Sequence, residues 1–465
     1  MASMTTPQHF DLVIIGTGSG NSIPSPDLDD KSIAIIEKGT FGGTCLNVGC
    51  IPTKMYVYAA DVALAARESK RLGVSAHVDA VDWNGIVERV FHNRIDQIAE
   101  GGEAYRRGDE TPNITVFDQH ARFIGPKTLQ CGDDIITGEH IVIAAGSRPV
   151  LPEPYASTDV PVHTNEDIMR LPQQPQSLII VGGGFIAMEF AHVFDGLGTE
   201  VTVVNRSDKL LRFLDEDVST RFTEIARERF NVHTGTGTAL ESDGKGVRLT
   251  LDDGTVLAAD AILVATGRRP NGDQMDLGAS GIEVRSDGRI KVDDFGRTTC
   301  DGVWALGDVS SPYMLKHVAN AEQRAVQHNL LHPEDLRAMP HKHVPSAIFT
   351  HPQIATVGLT EAQAREQGYE VTVKIQNFGD VAYGWAMEDS TGICKLVADH
   401  ASGKLLGAHI MGPQASTLIQ QLITAMAYGI DMRSFARSQY WIHPALPEVV
   451  ENAVLGLEWQ LDSPL

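Results

Sequence analysis

The sequence predicts an α/β fold of two parallel-sheet units followed by an α+β carboxyl-terminal unit, and three observations predict it. A β-branched run ends in a glycine cluster twice, at FDLVIIGTGSGN from Phe10 to Asn21 and at SLIIVGGGFIAMEFA from Ser177 to Ala191. Each reads as a buried parallel strand turning into a helix. From about residue 346 the pattern changes to alternating strands such as GICKLVAD and LLGAHIMG, then to helical periodicity from Gln414 onward. The 465 residues can fill more than one core, because single cores stop growing near roughly 250–300 residues. The expected organisation is a first nucleotide-binding domain over 1–150, a second over 151–270, a central segment over 271–345 that completes the first site, and an interface domain over 346–465.

In the first unit, Gly16 makes the tight turn, and Gly18 lets a pyrophosphate approach backbone N–H groups at a helix's positive end. Gly20 belongs to the same loop. The next strand, IAIIE, ends at Glu37, where the ribose-reading side chain belongs. A carboxylate there accepts a hydrogen bond from a free 2′-hydroxyl and repels a 2′-phosphate, which suits FAD. Asn21 stands where a third glycine is expected, and Pro24 and Pro26 interrupt the segment that follows. Proline costs about 3 kcal/mol in a helix interior, so the first helix is expected to be short or broken.

Between the two units, GGTCLNVGCIPTK from Gly42 to Lys54 holds two of the chain's five cysteines, Cys45 and Cys50. Five residues of ideal helix rise about 7.5 Å, beyond the about 4.4–6.8 Å between the Cα atoms of a disulfide, so this segment must begin irregularly. Gly49 allows the distortion. A helix starting nearby lowers the Cys50 pKa through its N-terminal field. A zinc site would need two further close ligands, and Cys131, Cys300 and Cys394 instead sit in apolar, strand-like stretches that suit small core residues. No metal is expected.

In the second unit, Gly182 and Gly184 repeat the turn and the close approach, with Ala187 at the third small position. VTVVN ends at Asn205 in place of an acid, and Arg206 and Arg212 follow in NRSDKLLRF. Two guanidiniums there suit a 2′-phosphate and hence NADPH; the plainer reading is a pair of solvated arginines. At the carboxyl end, Pro444 biases His443 toward extended geometry and Pro447 can open a helix, which brings His443 and Glu448 together around a turn. A carboxylate on one ring nitrogen fixes the tautomer and leaves the other nitrogen for proton transfer.

The formal charge of −22 opposes binding to nucleic acid or anionic membranes and favours a small-molecule partner. No window approaches 18 uninterrupted apolar residues, and residues 1–10 lack a basic start and an apolar centre, so a soluble cytoplasmic protein is expected.

Together with ATGRRPN (Ala265 to Asn271), ALGDV (Ala305 to Val309) and HPALPE, these motifs resemble the pyridine nucleotide–disulfide oxidoreductases over essentially the whole chain. The resemblance implies two Rossmann-like domains for FAD and NADPH and a carboxyl-terminal dimerisation domain. It implies that Gly43 and Thr44 line the FAD site and that Asp308 holds a ribityl hydroxyl. Ala145 and Gly146 in AAGSRP, and Gly267 in ATGRRP, would lie where the chain crosses between domains. Lys54 would pair with Glu189 beside the flavin, and Phe185 would gate the nicotinamide. Cys50, its thiolate favoured by oxidised flavin, would face the flavin, and Cys45 would attack a small disulfide. His443 and Glu448 would serve the other subunit of a homodimer. The stretches GTGSGNSIPSP, SSPYMLKHVAN, QNFGDVAYGWAMED and QYWIHPALPEVVENA resemble one branch of that family more narrowly. A flavoprotein that only senses redox state is the alternative of another class, and it would not require HPxxxE beside CxxxxC.

Overall fold

The computed structural model describes residues 6–242 and 244–459. The reading of residues 1–10 therefore lies partly outside the described residues.

Both β-branched runs become parallel strands. Gln8–Ile15 lies between Ile33–Ile36 and Asp134–Ile143, and Ile114–Phe117 extends the sheet beyond Ile33–Ile36. Ile33–Ile36 is buried along its whole length, as a strand covered on both faces must be. The strand Val303–Ala305 joins Asp134–Ile143 in parallel, so the chain returns to the first sheet after building the second. In the second sheet the order is Asn231–Thr234, Glu200–Asn205, Ser177–Val181, Ala261–Val264, all parallel. Two crossing segments, Ser147–Pro149 and Arg268–Pro270, pair antiparallel between the sheets.

Helix Cys50–Glu68 packs on helix Phe185–Gly196. The approach is close enough that a Cβ on Gly196 would lie 2.8 Å from that of Ala60. The last unit is a five-stranded antiparallel sheet, ordered Pro345–Ile348, Ile354–Gly358, Leu405–Met411, Ile393–Asp399, Val371–Asn377. Helices including Gln420–Ala427 and Pro447–Leu455 cover it through a core of its own.

The first helix is broken as expected, and one other expectation about local structure changes. No α-helix follows the first glycine loop; single 3-10 turns at Gly20–Ser22 and Pro26–Leu28 take its place, as Pro24 and Pro26 demand. Cys131 and Cys394 are buried in strands, but Cys300 is not a core strand residue: it is half-buried in a turn where Val303 N–H donates to its carbonyl at 3.1 Å. The local TTCDG sequence favours that turn through Asp and Gly. Among the described residues, no helix is long and apolar enough to cross a membrane.

Candidate active site

The first glycine loop is built around backbone contacts that exclude side chains. A Cβ on Gly16, whose φ is +102°, would lie 2.4 Å from the Ala144 carbonyl oxygen. Gly18 meets the cysteine segment directly, for a Cβ on Gly43 would lie 2.7 Å from the Gly18 Cα. Glu37, just past its strand, accepts from the Thr17 N–H at 2.9 Å and hydroxyl at 2.7 Å, which fixes it beside the loop. Asn21, in the place of a third glycine, is gripped by Arg106 through its side-chain and backbone oxygens at 2.9 and 2.8 Å. Lys316, at the start of helix Lys316–Leu331, reaches Ser19 Oγ at 3.1 Å and sets a positive charge over the same loop.

The cysteine segment splits into two helices. Gly43–Asn47 carries Cys45, and Cys50 opens Cys50–Glu68, with Val48 and Gly49 out of helical geometry between them. A Cβ on Gly49 would lie 2.9 Å from the Thr44 carbonyl oxygen, so the break requires glycine there. Buried Asn47 donates to the Phe41 carbonyl at 2.9 Å and holds the preceding turn.

Both cysteines are thiols that share a hydrogen bond. The bond from Cys50 pushes the Cys45 thiol down, and donating it pushes Cys50 up. The two sulfurs therefore titrate as one coupled pair, in which a single negative charge is stabilised by the bond from the remaining thiol.

Lys54 lies one turn along the same helix. Burial pushes its ammonium pKa down to about 8, opposed by the Glu189 charge. The expected direct pair is absent: among the described residues there is no Lys54–Glu189 ion pair, and the ammonium sits over the Phe349 ring. Glu189 instead accepts the Phe349 N–H at 2.8 Å, and desolvation pushes its carboxyl up. Phe349 thus takes the carboxylate with its backbone and the ammonium with its ring. Among the described residues, Lys54 Nζ has no hydrogen-bond partner although it is buried. An orphaned donor beside the dithiol and an open glycine cradle fit the acceptor edge and the pyrophosphate of a flavin dinucleotide.

Asp308 sits in the 3-10 turn Gly307–Val309 and accepts the Ser147 hydroxyl at 2.6 Å. Ala145 and Gly146 precede Ser147, and their carbonyls accept the side chain and N–H of Asn271 at 2.8 and 3.0 Å. Gly267 accepts the Val150 N–H at 3.0 Å on the facing segment.

At the second loop, a Cβ on Gly182 would lie 2.4 Å from the Ala265 carbonyl oxygen. Gly184 is the N-cap of helix Phe185–Gly196, and Ala187 in its first turn is fully buried. Phe185 is 42% exposed at the loop mouth and so is not a core residue. Asn205 turns inward, donating to Ser207 and to the Lys209 carbonyl at 3.0 Å, and so shapes the arginine loop. Leu211 N–H donates to the Gly183 carbonyl at 2.8 Å, which hooks that loop onto the glycines. Arg206 and Arg212 are both exposed there, and among the described residues neither has a hydrogen bond or ion pair.

Far along the chain, Pro447 opens helix Pro447–Leu455, and His443 Nδ1 pairs with Glu448 Oε1 at 2.7 Å. This bond holds the Glu448 carboxyl below its ordinary range and leaves Nε2 facing outward. Tyr440 and Ile442 stand fully or largely exposed beside it. In the single chain the imidazole does not meet Cys45.

The model of the pyridine nucleotide-disulphide oxidoreductases matches residues 10–325, and that of their dimerisation domain matches residues 344–454. The chain belongs to this family. It is 54% identical to a mycothione reductase of Mycobacterium tuberculosis over 97% of this chain and all of the relative, in line with the narrower resemblance in its sequence. It is 33% identical to a dihydrolipoyl dehydrogenase of Halobacterium salinarum, over 95% of each. Among solved structures, the HOCl-induced flavoprotein disulfide reductase RclA from Escherichia coli superposes with a TM-score of 0.84 at 27% identity, over 96% of this chain and all of that one. This family member is accordingly an enzyme that uses a flavin and a nicotinamide coenzyme.

Several side chains at the site carry no signal that sequence reasoning used. Lys316 lies in a stretch noted only for its resemblance, and Arg268 in a motif noted for its crossing. Arg106, Asn165 and Phe349 stand in no motif, and their roles depend on tertiary contacts alone.

Proposed function

We propose that this chain reduces mycothione to mycothiol with FAD as its flavin and NADPH as reductant, as a homodimer in the cytoplasm. The observation that carries the substrate is the 54% identity, across the whole relative, to mycothione reductase. Support for FAD comes from the Glu37 carboxylate and the cradle of Gly16, Gly18, Gly20, Gly43 and Thr44, with Lys54 and Asp308 at its edge. Support for NADPH comes from two unpaired arginines where an acid would repel a 2′-phosphate. The exposed apolar surface beside His443 supports a second copy over that face.

A flavin held there would supply the chemistry of taking hydride from the nicotinamide and giving an electron pair to the Cys45–Cys50 disulfide, which opens it to the two thiols. The residues then act in turn. The Cys45 thiolate attacks one sulfur of the substrate disulfide, forming a Cys45–substrate disulfide and releasing the other half as a thiol. The partner subunit's His443, held in one tautomer by a carboxylate, gives that thiol its proton. Cys50 loses its proton and attacks the Cys45 sulfur, which releases the second thiol and restores the Cys45–Cys50 disulfide. Phe185 shields the nicotinamide position until coenzyme enters.

Dihydrolipoamide oxidation is the second reading, favoured by the relatives at lower identity and opposed by Asn205, Arg206 and Arg212. Steady-state assays of the purified flavoprotein with NADPH and NADH against mycothione, oxidised glutathione and lipoamide decide. Mycothione with NADPH should give the highest kcat/KM; a preference for lipoamide with NADH would overturn the proposal.

A further inference from the structure

One chain of hydrogen bonds joins parts of the site that come from five separate stretches of sequence. Asp308 accepts the Ser147 hydroxyl at 2.6 Å, and that same oxygen accepts from Arg268 Nε at 2.8 Å. Arg268 Nη2 donates to the Ser147 carbonyl at 2.7 Å, and Nη1 donates to Asn165 Oδ1 at 3.2 Å. Buried Asn165 then donates to the Val48 carbonyl at 2.9 Å, in the break just ahead of Cys50. Three of the five guanidinium donors are therefore spent on neutral acceptors, and among the described residues no carboxylate forms an ion pair with Arg268, although the charges of Asp308 and Glu166 act on it.

We propose that Arg268 is a positioning residue of the redox centre, whose guanidinium ties the Asp308 turn to the Cys50 break and whose positive charge favours the thiolate of the dithiol. This deepens the reading of Cys45 and Cys50 as the working pair and rests on it. A planar fork suits the task because one group must hold two acceptors on one side and a third on the other. Asn165 suits the middle position because its amide accepts on one face and donates on the other. The charges acting on Arg268 are Asp308, Glu166 and Cys50. Those acting on the thiols are Lys316 and Asp308 at Cys45 and Glu189 at Cys50, with Lys54 near the latter. Of the cations, Arg268 alone is also hydrogen-bonded to the break, through Asn165.

The test uses two-electron-reduced holoenzyme, read by the pH midpoint of its long-wavelength thiolate–flavin absorbance and by the rate of iodoacetamide alkylation of the dithiol. Arg268→Met should raise both midpoints by about one pH unit, as loss of a nearby opposite charge does. Arg268→Lys keeps the charge and should recover at least about half of that shift. Asn165→Ala keeps the charge but frees the break: its midpoint should stay near wild type while alkylation at the high-pH plateau quickens about two- to tenfold, the range for one lost hydrogen bond. An Arg268→Met midpoint equal to wild type, or an Arg268→Lys midpoint equal to that of Arg268→Met, overturns the charge role. Unchanged alkylation in Asn165→Ala overturns the tether. If Arg268→Met loses its flavin, Arg268→Gln takes its place under the same criteria. A wild-type enzyme with no such absorbance would defeat the underlying reading of the cysteines instead.

Discussion

Replacing Lys395 by methionine should separate the interface unit from the second nucleotide unit. Lys395 is 1% exposed on strand Ile393–Asp399, and its ammonium meets Asp215 at 2.9 Å, Glu361 at 2.8 Å and Asp217. Asp215 is equally buried and also accepts the N–H groups of Asp217 and Glu361. Burial alone would push the Asp215 carboxyl up; the Lys395 bond, with help from His409 and the Glu361 N–H, reverses this and holds it below its usual range. Removing the ammonium leaves one fully buried carboxylate unpaired, a change that costs about 3–5 kcal/mol. Glu361 and Asp217 keep solvent contact and should add little. At roughly 2–4 °C per kcal/mol the thermal midpoint should fall by at least about 6 °C. Because the folded pKa of Asp215 is depressed in the wild type, its stabilisation is present at pH 7 and fades as pH drops below the ordinary carboxylate value. In the variant the same carboxyl is raised and gains a proton earlier, so the gap between the proteins should narrow as pH falls. Adding Asp215→Asn, which can still cap helix Glu216–Arg229, should restore about half of the loss. Circular dichroism melts across pH provide the measurement. A loss under about 1 kcal/mol, independent of pH, would show that the cluster behaves like a surface pair and refute the reasoning.

Three further outcomes are expected. Cys45→Ser should leave Cys50 free to form a thiolate beside oxidised flavin, giving a long-wavelength band that Cys50→Ser lacks; equal spectra would remove the distinction between the two sulfurs. His443→Gln should slow the disulfide half-reaction by about 10²–10⁴-fold while reduction by NADPH stays near normal, which rapid mixing of each half-reaction resolves. Wild type should prefer NADPH by at least about tenfold in kcat/KM, and Arg206→Ala with Arg212→Ala should raise the NADPH KM while sparing NADH; an equal loss for both coenzymes would make the arginines structural.

Both glycine loops and the cysteine break were legible because backbone geometry forces glycine where a Cβ would collide, as at Gly16, Gly182 and Gly49. The His443–Glu448 contact was legible because two prolines constrain a short stretch between them. What could not be read was any contact closing across long sequence separation without a backbone demand. Phe349 reaches Lys54 from the interface unit, and Asn165 reaches Val48 from a linker. The missing Lys54–Glu189 pair belongs to the same class, since it turns on a competing partner, Phe349, that local sequence does not reveal.

Helix Cys50–Glu68 explains how a redox pair can stand fixed between two nucleotide loops without a rigid hinge. Its first residue is Cys50, its second turn supplies Lys54, and its middle packs Ala60 on Gly196 of the helix that begins at the second glycine loop. Tyr56 O–H donates to the Met169 carbonyl at 2.6 Å, which ties the same helix to the segment leading into the second sheet. The spacing from thiol to nicotinamide loop is therefore a packing distance between two helices, set by a glycine–alanine contact that tolerates no added methyl group. A larger residue at Gly196 would push the helices apart, and the displacement would reach Cys50 and Lys54 together because both ride on one rigid element. The interface unit closes the arrangement from the other side: Phe349 touches both Lys54 and Glu189, so docking of that unit and the electrostatics beside the flavin cannot be varied independently.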